Sequence, residues 1–221
     1  MRWPFTRYGT RELALGTLIL GVGTALALWK LPWAALCPLL LLVFLFGFFR
    51  DPERTPPEGD NALLSPADGR VADLEEVHET EFLAADAVRI GVFMSLFDVH
   101  VNRAPLAGRV VFRDYRPGKF HNALGARASR ENECSLVGIE RADGTRVLVR
   151  QIAGVIARRI VCDCEVGTEL ARGQRLGMVK FGSRLEVFVP KSSGFRPAVA
   201  VGDRVRAGRS VLGHFASEPL P

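Results

Sequence analysis

Three stretches of the chain carry side chains that could do chemistry together. A Ser follows a Gly in "VKFGSR" (179–184), a His closes an apolar run in "MSLFDVHVNRAP" (94–105), and an Asp stands in the turn "SPADGRV" (65–71). These are the parts of an activated hydroxyl. A bare Ser hydroxyl is a weak nucleophile; an imidazole can take its proton, and a carboxylate can fix the imidazole tautomer and stabilise its cation. Taken singly, Ser183, His100 and Asp68 each have an ordinary account, because Gly-Ser and Asp-Gly are common turn pairs and a His is by default a core or surface residue. Gly182 is harder to dismiss. It interrupts "GMVKFGSRLEVFVP" (177–190), which otherwise alternates like a strand and closes on Pro190. A Gly inside a strand marks a bulge, a bend or a close backbone approach.

The elements that must position these residues are short. "GRVADLEEV", "VRIGVFMSL", "GRVVFRDYRPG", "CSLVGIERADGTRVLVRQIAG" and "RIVCDCEVG" suit strands, and "ADGT" (142–145) between two alternating runs is a hairpin signal. The spacing predicts a mainly β (α+β) domain. One internal repeat is visible: "VGTELARGQRLGMVKF" (166–181) and "VGDRVRAGRSVLGHF" (201–215) share Val-Gly, a later Gly, then an apolar residue, Gly and Phe. This is the grammar of a lipoyl or biotinyl type β half-barrel, in which paired short strands are joined by glycine turns. The repeat puts Gly182-Ser183 just beyond its first copy, near a strand connection. In "CDC", alternation places Cys162 and Cys164 on one face of a strand. The pair is too close for an ordinary disulfide and lacks zinc-knuckle spacing, so reduced thiols and no metal are expected.

The 221 residues suffice for one well-buried domain with an appendage. Lys and Arg exceed Asp and Glu by five, and the pI near 9.4 favours an anionic partner. Residues 13–29 and 34–49 carry no charge, and each approaches the ~17–25 residues of a spanning helix. Joined by "KLPW", they read as a membrane hairpin, which turns the anionic preference from nucleic acid toward phospholipid. Arg2, Arg7 and Arg11 precede the first run and Arg50 and Arg54 follow the second, against Lys30 alone in the turn. The positive-inside rule then puts both ends and the remaining chain on the cytoplasmic face of the cell membrane, with Trp3, Trp29 and Trp33 as interfacial anchors. A signal peptide ending at "ALA" (25–27) is the competing account, weakened by the second apolar run. Both runs are short, so a re-entrant hairpin stays open. The Pro- and charge-rich "DPERTPPEGDN" (51–61) marks a boundary, giving 1–50 as anchor and 51–221 as the domain.

Together, "SPADG", "SLFDVHVNRAP", "GKFHNA" followed by "NE" (132–133), and "VKFGSR" resemble the motifs of the phosphatidylserine decarboxylases, specifically the short, membrane-anchored proenzyme type. The resemblance covers nearly the whole chain. Longer family members commonly have Leu-Gly-Ser-Thr at the last motif and often a second His where this chain has Arg103, so Arg184 and Arg103 depart from that form. The resemblance implies that the chain cuts itself between Gly182 and Ser183, leaving 1–182 as a beta chain and 183–221 as an alpha chain. Ser183 Oγ would attack the carbonyl of Gly182, a residue without a Cβ that bends at no steric cost, with His100 as base and Asp68 as its carboxylate. Elimination from the resulting ester would turn Ser183 into dehydroalanine and then, with loss of ammonia, into a covalent pyruvoyl cofactor. Decarboxylating an α-amino acid needs such an electron-accepting carbonyl. The implied reaction converts phosphatidylserine to phosphatidylethanolamine. His100 is the first candidate for the acid that reprotonates the product, and His121 the second. Arg103, Arg113, Arg116 and Lys119 are candidates for phosphate or carboxylate contact, Arg103 foremost for its distance from His100. Oligomeric state stays open, a homo-oligomer included.

Two other functions would use the same residues differently. A membrane-tethered lipoyl-like carrier needs a Lys at a hairpin tip, and Lys180 is close, but a carrier has no use for "PADG" or "DVH". A serine hydrolase would turn Ser183 on an outside substrate, yet the chain lacks a Gly-x-Ser-x-Gly elbow.

Overall fold

The computed structural model describes residues 4–123, 125, 127–155, 159–180 and 182–216. Arg2, Trp3 and Phe181 lie outside the described residues. The chain divides into two compact units, Met1–Glu53 and Arg54–Pro221.

In the first unit, α1 (Thr10–Lys30) and α2 (Leu36–Phe48) are joined through a 3-10 turn at Pro32–Ala35. Apolar residues on every side leave these helices no polar face. Leu18, Ile19, Trp29, Trp33, Leu40 and Val43 are accordingly exposed. The segment Arg7–Lys30 is long and apolar enough to cross a membrane, whereas Pro32–Phe48 is shorter. Backbone hydrogen bonds close the base of this helical hairpin: Thr6 N–H donates to Phe49 O at 2.9 Å and Asp51 N–H to Pro4 O at 2.8 Å.

The second unit is mainly β, as the strand-like runs predict. Its strands are β1 (Ala62–Leu64), β2 (Gly69–Glu79), β3 (Ala85–Met94), β4 (Val101–Arg103), β5 (Gly108–Arg116), β6 (Cys134–Glu140) and β7 (Arg146–Ile152). There follow β8 (Ile160–Cys162), β9 (Glu169–Leu170), β10 (Arg175–Val179), β11 (Ser183–Pro190), β12 (Arg196–Pro197), β13 (Arg204–Val205) and β14 (Val211–His214). One short helix, α3 (Ala128–Glu131), precedes β6. Eight strands form an antiparallel sheet in the order β13-β2-β3-β11-β7-β6-β5-β9, and two three-stranded sheets run β1-β14-β12 and β4-β10-β8. The "ADGT" signal is the β6–β7 turn, with Gly144 at φ +83°.

The internal repeat is a repeat of structure. Gly167 and Gly202 take φ of +93° and +98° before β9 and β13; Gly173 and Gly208 take +75° and +67° before β10 and β14. β9 and β13 are the two edges of the large sheet, while β10 and β14 are the middle strands of the two small ones. Stretch 177–190, which reads as one interrupted strand, is therefore two strands in different sheets. Gly182, at φ +65°, sits where the chain passes from one to the other, a conformation that costs Gly little and other residues more.

β11 lies in the middle of the large sheet, paired with β3 on one side and β7 on the other, and every residue in it is buried. Leu185, Val187 and Val189 enter the main core with Ile90, Val92, Val137 and Val149. Phe188, on the other face, packs with Leu136, Leu148 and Ile152. Arg184 and Glu186 share that second face and are paired, Nε to Oε1, at 2.9 Å. The Arg184 guanidinium also meets Asp73, in space that a side chain at Gly91 would fill. Removing the cation would leave the buried Glu186 with Arg150 at 3.5 Å and the half-buried Asp73 with Arg89 at 3.5 Å, both weaker partners. Arg184→Ala, compared by urea denaturation in a background that cannot self-cleave, is expected to lower stability by about 1.5–3 kcal/mol.

Candidate functional site

Ser183 opens β11 opposite Met94, the last residue of β3, and has no solvent exposure. Its Oγ lies 4.0 Å from Met94 Sδ. Below them runs a buried polar string in which Asn102 Nδ2 donates toward the same sulfur at 3.8 Å and Gln151 Nε2 donates to Asn102 Oδ1 at 2.8 Å.

His100 reaches this place from a tight turn. The Asp98 carboxylate accepts Ser95 N–H at 2.9 Å and Ser95 Oγ–H at 2.7 Å, which folds residues 95–98 back and directs the fully buried His100 inward. The Asp98 carbonyl accepts His100 Nδ1–H at 2.9 Å. With Nδ1 spent as a donor, Nε2 is an acceptor, and Gly182 N–H donates to it at 3.3 Å. A basic nitrogen thus sits at the Gly182 backbone, one residue from the Ser183 hydroxyl.

Asp68 is engaged elsewhere. Its carboxylate pairs with Arg54 at 2.8 Å and accepts Ala207 N–H at 2.8 Å, tying the "PADG" turn to the turn of the second repeat copy. The partner of His100 Nδ1 is a backbone carbonyl, where a carboxylate was expected. Arg103 N–H donates to Pro66 O at 2.9 Å, so β4, which follows His100, hangs from the turn that Asp68 secures.

The cations expected to meet an anion are taken up by the chain itself. Arg103 is buried and donates to Gly173 O at 3.1 Å. Arg113 pairs with Glu165, Arg116 with Glu81 and Asp114, and Lys119 with Glu131 at 2.8 Å. His121 Nε2 lies 3.2 Å from Glu131 Oε2, partly exposed. Lys119 and His121 together hold the Glu131 carboxyl below the usual range. Lys180, which a carrier would display, is 5% exposed. A cavity of about 470 Å³ lined by residues including Asn61, Asp143, Arg146 and Phe215 takes in neither Ser183 nor His100.

Sequence reasoning missed two contributors. The Gly182 carbonyl oxygen rests against Gly154, just past β7, and Asn132 holds that segment through hydrogen bonds to Ala153 O at 2.7 Å and His121 O at 2.8 Å. "NE" and "GKFHNA", separate motifs in the sequence, form one clamp in the structure. Asn next to a turn and Gly after a strand are too common to have announced it.

Cys162 ends β8 and Cys164 lies beyond it, so the two do not share a strand face, yet their Sγ atoms are 3.6 Å apart. A hydrogen bond from Cys164 and the nearby Arg113 cation bring the Cys162 thiol down to about 6 against the opposing effect of burial. The Cys164 thiol is pushed up, because it supplies the proton in that hydrogen bond and is itself buried.

A family model described as phosphatidylserine decarboxylase matches residues 41–213. The phosphatidylserine decarboxylase proenzyme of Ralstonia nicotianae is 48% identical over 210 residues, covering 95% of this chain and 92% of the relative. That of Carboxydothermus hydrogenoformans is 45% identical over 215 residues, covering 97% and 99%. That of Syntrophus aciditrophicus is 44% identical over 197 residues, covering 88% and 92%.

Since the thiolate is the nucleophile, iodoacetamide labelling of Cys162 should rise from acid pH and level off above about pH 7, as mapped by peptide mass spectrometry. A rate still climbing steeply at pH 9 would show that Cys164 and Arg113 do not hold the anion.

Proposed function

The chain belongs to the phosphatidylserine decarboxylase family, and we propose that it prepares its own electron sink by cutting itself between Gly182 and Ser183. It is a decarboxylase that releases carbon dioxide from phosphatidylserine to give phosphatidylethanolamine. One observation supports this site above others: Gly182 N–H on His100 Nε2, directly before a Ser buried at the head of a central strand.

His100 Nε2 carries a lone pair and lies within one peptide unit of the Ser183 hydroxyl, so a small rotation lets it take the Oγ proton. Hydrogen bonds of this kind are often long before the reacting geometry is reached. Ser183 Oγ then bonds to the Gly182 carbonyl carbon, the peptide C–N bond breaks, and the proton passes to the Ser183 nitrogen. Removal of the Ser183 α-proton lets the Cβ–O bond break, which frees the Gly182 carboxylate and leaves dehydroalanine. Its imine tautomer then adds water and expels ammonia, so that the water oxygen becomes the ketone of a pyruvoyl group on what was Ser183. That group supplies the carbonyl that accepts the electron pair left behind by carbon dioxide. Its fit is supported by the placement of Ser183, which the β3 and β7 ladders and the Arg184 ion pairs hold in position after the chain is cut. His100 Nε2 is also the atom from which a proton can return to the product carbon. Asp68 acts at one remove, by fixing with Arg54 the turn from which β4 hangs.

The apolar N-terminal helices support a location at the cell membrane, where a lipid substrate would lie, and the cations flanking them favour the cytoplasmic face for the second unit. The exposed apolar surface of α1 and the length of Arg7–Lys30 support that placement. Matching glycine turns in the two repeat copies support a lipoyl-type half-barrel ancestry for residues 166–215. A carrier role is not favoured, given the burial of Lys180.

Intact mass and denaturing electrophoresis test the proposal. The native chain should run as two pieces divided before Ser183, the smaller without a free N-terminal amine. Ser183→Ala should remain whole and inactive, and complete cleavage of that variant would refute the mechanism. His100→Ala should slow cleavage by a factor of about 10²–10⁴. Asp68→Asn should slow it less, as befits a residue acting through the backbone.

A further inference from the structure

We infer that Gly154 is the seat of the scissile carbonyl and that Asn132 holds this seat, so that both are positioning residues for the attack of Ser183 on Gly182. The inference rests on the self-cleavage proposed above and names what orients the bond to be cut.

An acyl shift needs the carbonyl held with one face open to the nucleophile and its oxygen where negative charge can develop. The Gly182 oxygen lies so close to Gly154 that a Cβ built there would stand 1.9 Å from it and 3.0 Å from the carbonyl carbon. A Cβ cannot be accommodated at such distances, and its neighbour is backbone, which cannot swing aside like the end of a flexible side chain. Only a hydrogen fits. That hydrogen points at the oxygen, a weakly favourable contact that strengthens as the oxygen gains charge.

The seat is also rigid. Ile152, the end of β7, pairs with Arg184 on β11, so Ala153 and Gly154 continue alongside Ser183 and Gly182. Ala153 N–H donates to Glu133 O at 2.9 Å. Asn132, 5% exposed, uses its whole amide: Nδ2 donates to Ala153 O and to His121 O, and Oδ1 accepts His121 N–H at 2.8 Å. One side chain thereby joins the 119–123 loop to the seat. From that loop the Ala123 methyl closes the far side, 3.5 Å from where a Cβ at Gly154 would lie. Gly154 has no side chain and the Asn132 amide is spent on Ala153 and His121, so neither takes part in proton transfer. Their effect falls on the step in which the Oγ–C bond forms and the C–N bond breaks.

Hydroxylamine distinguishes that step from the next, because it splits the ester but not a peptide bond. Full-length protein is synthesised in a cell-free system with phospholipid vesicles, and cleavage is followed with and without hydroxylamine, alongside thermal melting. A displacement of about 1 Å at a reacting group costs about 100-fold in rate, so Gly154→Ala should melt like the Ser183→Ala chain yet cut about 100-fold more slowly than wild type. Hydroxylamine should add no cleavage, since no ester forms. Asn132→Asp, which keeps the size and removes the amide donors, should fold and cut several-fold more slowly, again without ester. A folded Gly154→Ala chain that cuts at the wild-type rate, or that accumulates hydroxylamine-sensitive ester, would overturn the inference. If Gly154→Ala does not fold, Asn132→Asp decides, and a wild-type rate there overturns it. Should the wild-type chain itself stay whole, the self-cleavage proposal fails and the seat with it.

Discussion

The structure depends on β11 being buried on both faces from its first residue. Ser183 is already in register with Met94, and Arg184 with both Phe93 and Ile152. Most chain ends fray, because nothing repays the entropy of ordering them. Here a chain end created inside a sheet would inherit two hydrogen-bonded neighbours, a core on one face and the Arg184 ion pairs on the other. Under the proposed self-cleavage, this constraint would let a reactive group be made in place and kept there. It also explains why both faces of the strand carry packed side chains, Leu185, Val187 and Val189 on one and Phe188 beside the paired Arg184 and Glu186 on the other.

Around that fixed end, the site is assembled mostly from backbone. A carbonyl at Asp98 sets the imidazole tautomer, a peptide N–H at Gly182 meets Nε2, and the α-carbon of Gly154 meets the Gly182 oxygen. Backbone groups carry partial charges, so they orient a buried imidazole without burying a further ion beside it, which would be costly. The full charges nearby serve the frame. Asp68 with Arg54 locks the "PADG" turn, and Arg184 with Asp73 and Glu186 locks β11. A Ser, a His and an Asp are all present, yet in this structure the Asp contributes to the scaffold that carries β4.

The repeat has a comparable role. Its two copies supply the edges of the large sheet through β9 and β13, and the middles of the small sheets through β10 and β14. Three residues separate the end of β10 from the start of β11. The Gly182 end of the Gly182–Ser183 bond therefore lies in a passage between sheets, outside the β ladders, while its Ser183 end is paired with Met94.

Much of this was legible in the residues themselves. The apolar runs announced two helices, "ADGT" announced a hairpin, and the glycines of 166–215 announced paired turns; each is local, set by side-chain period or by the φ that Gly tolerates. Gly182-Ser183 and His100 were legible as parts, because a Gly inside a strand and a His at the end of one are departures from the local pattern. What the parts touch was not legible. Asp68 and Asp98 both lie in turns of ordinary type, and only the packing of the "PADG" turn against residues 206–208 sends one to Arg54, while the turn at 95–98 aims the carbonyl of the other at His100. The clamp from Asn132 to Gly154 joins segments about twenty residues apart, and neither residue type signals it. The sequence by itself determined the elements and the candidate reactive residues, since those follow from local periodicity and side-chain chemistry. Tertiary structure alone decided which groups face one another across the Gly182–Ser183 bond, because that depends on strand register and on contacts between segments distant in the chain.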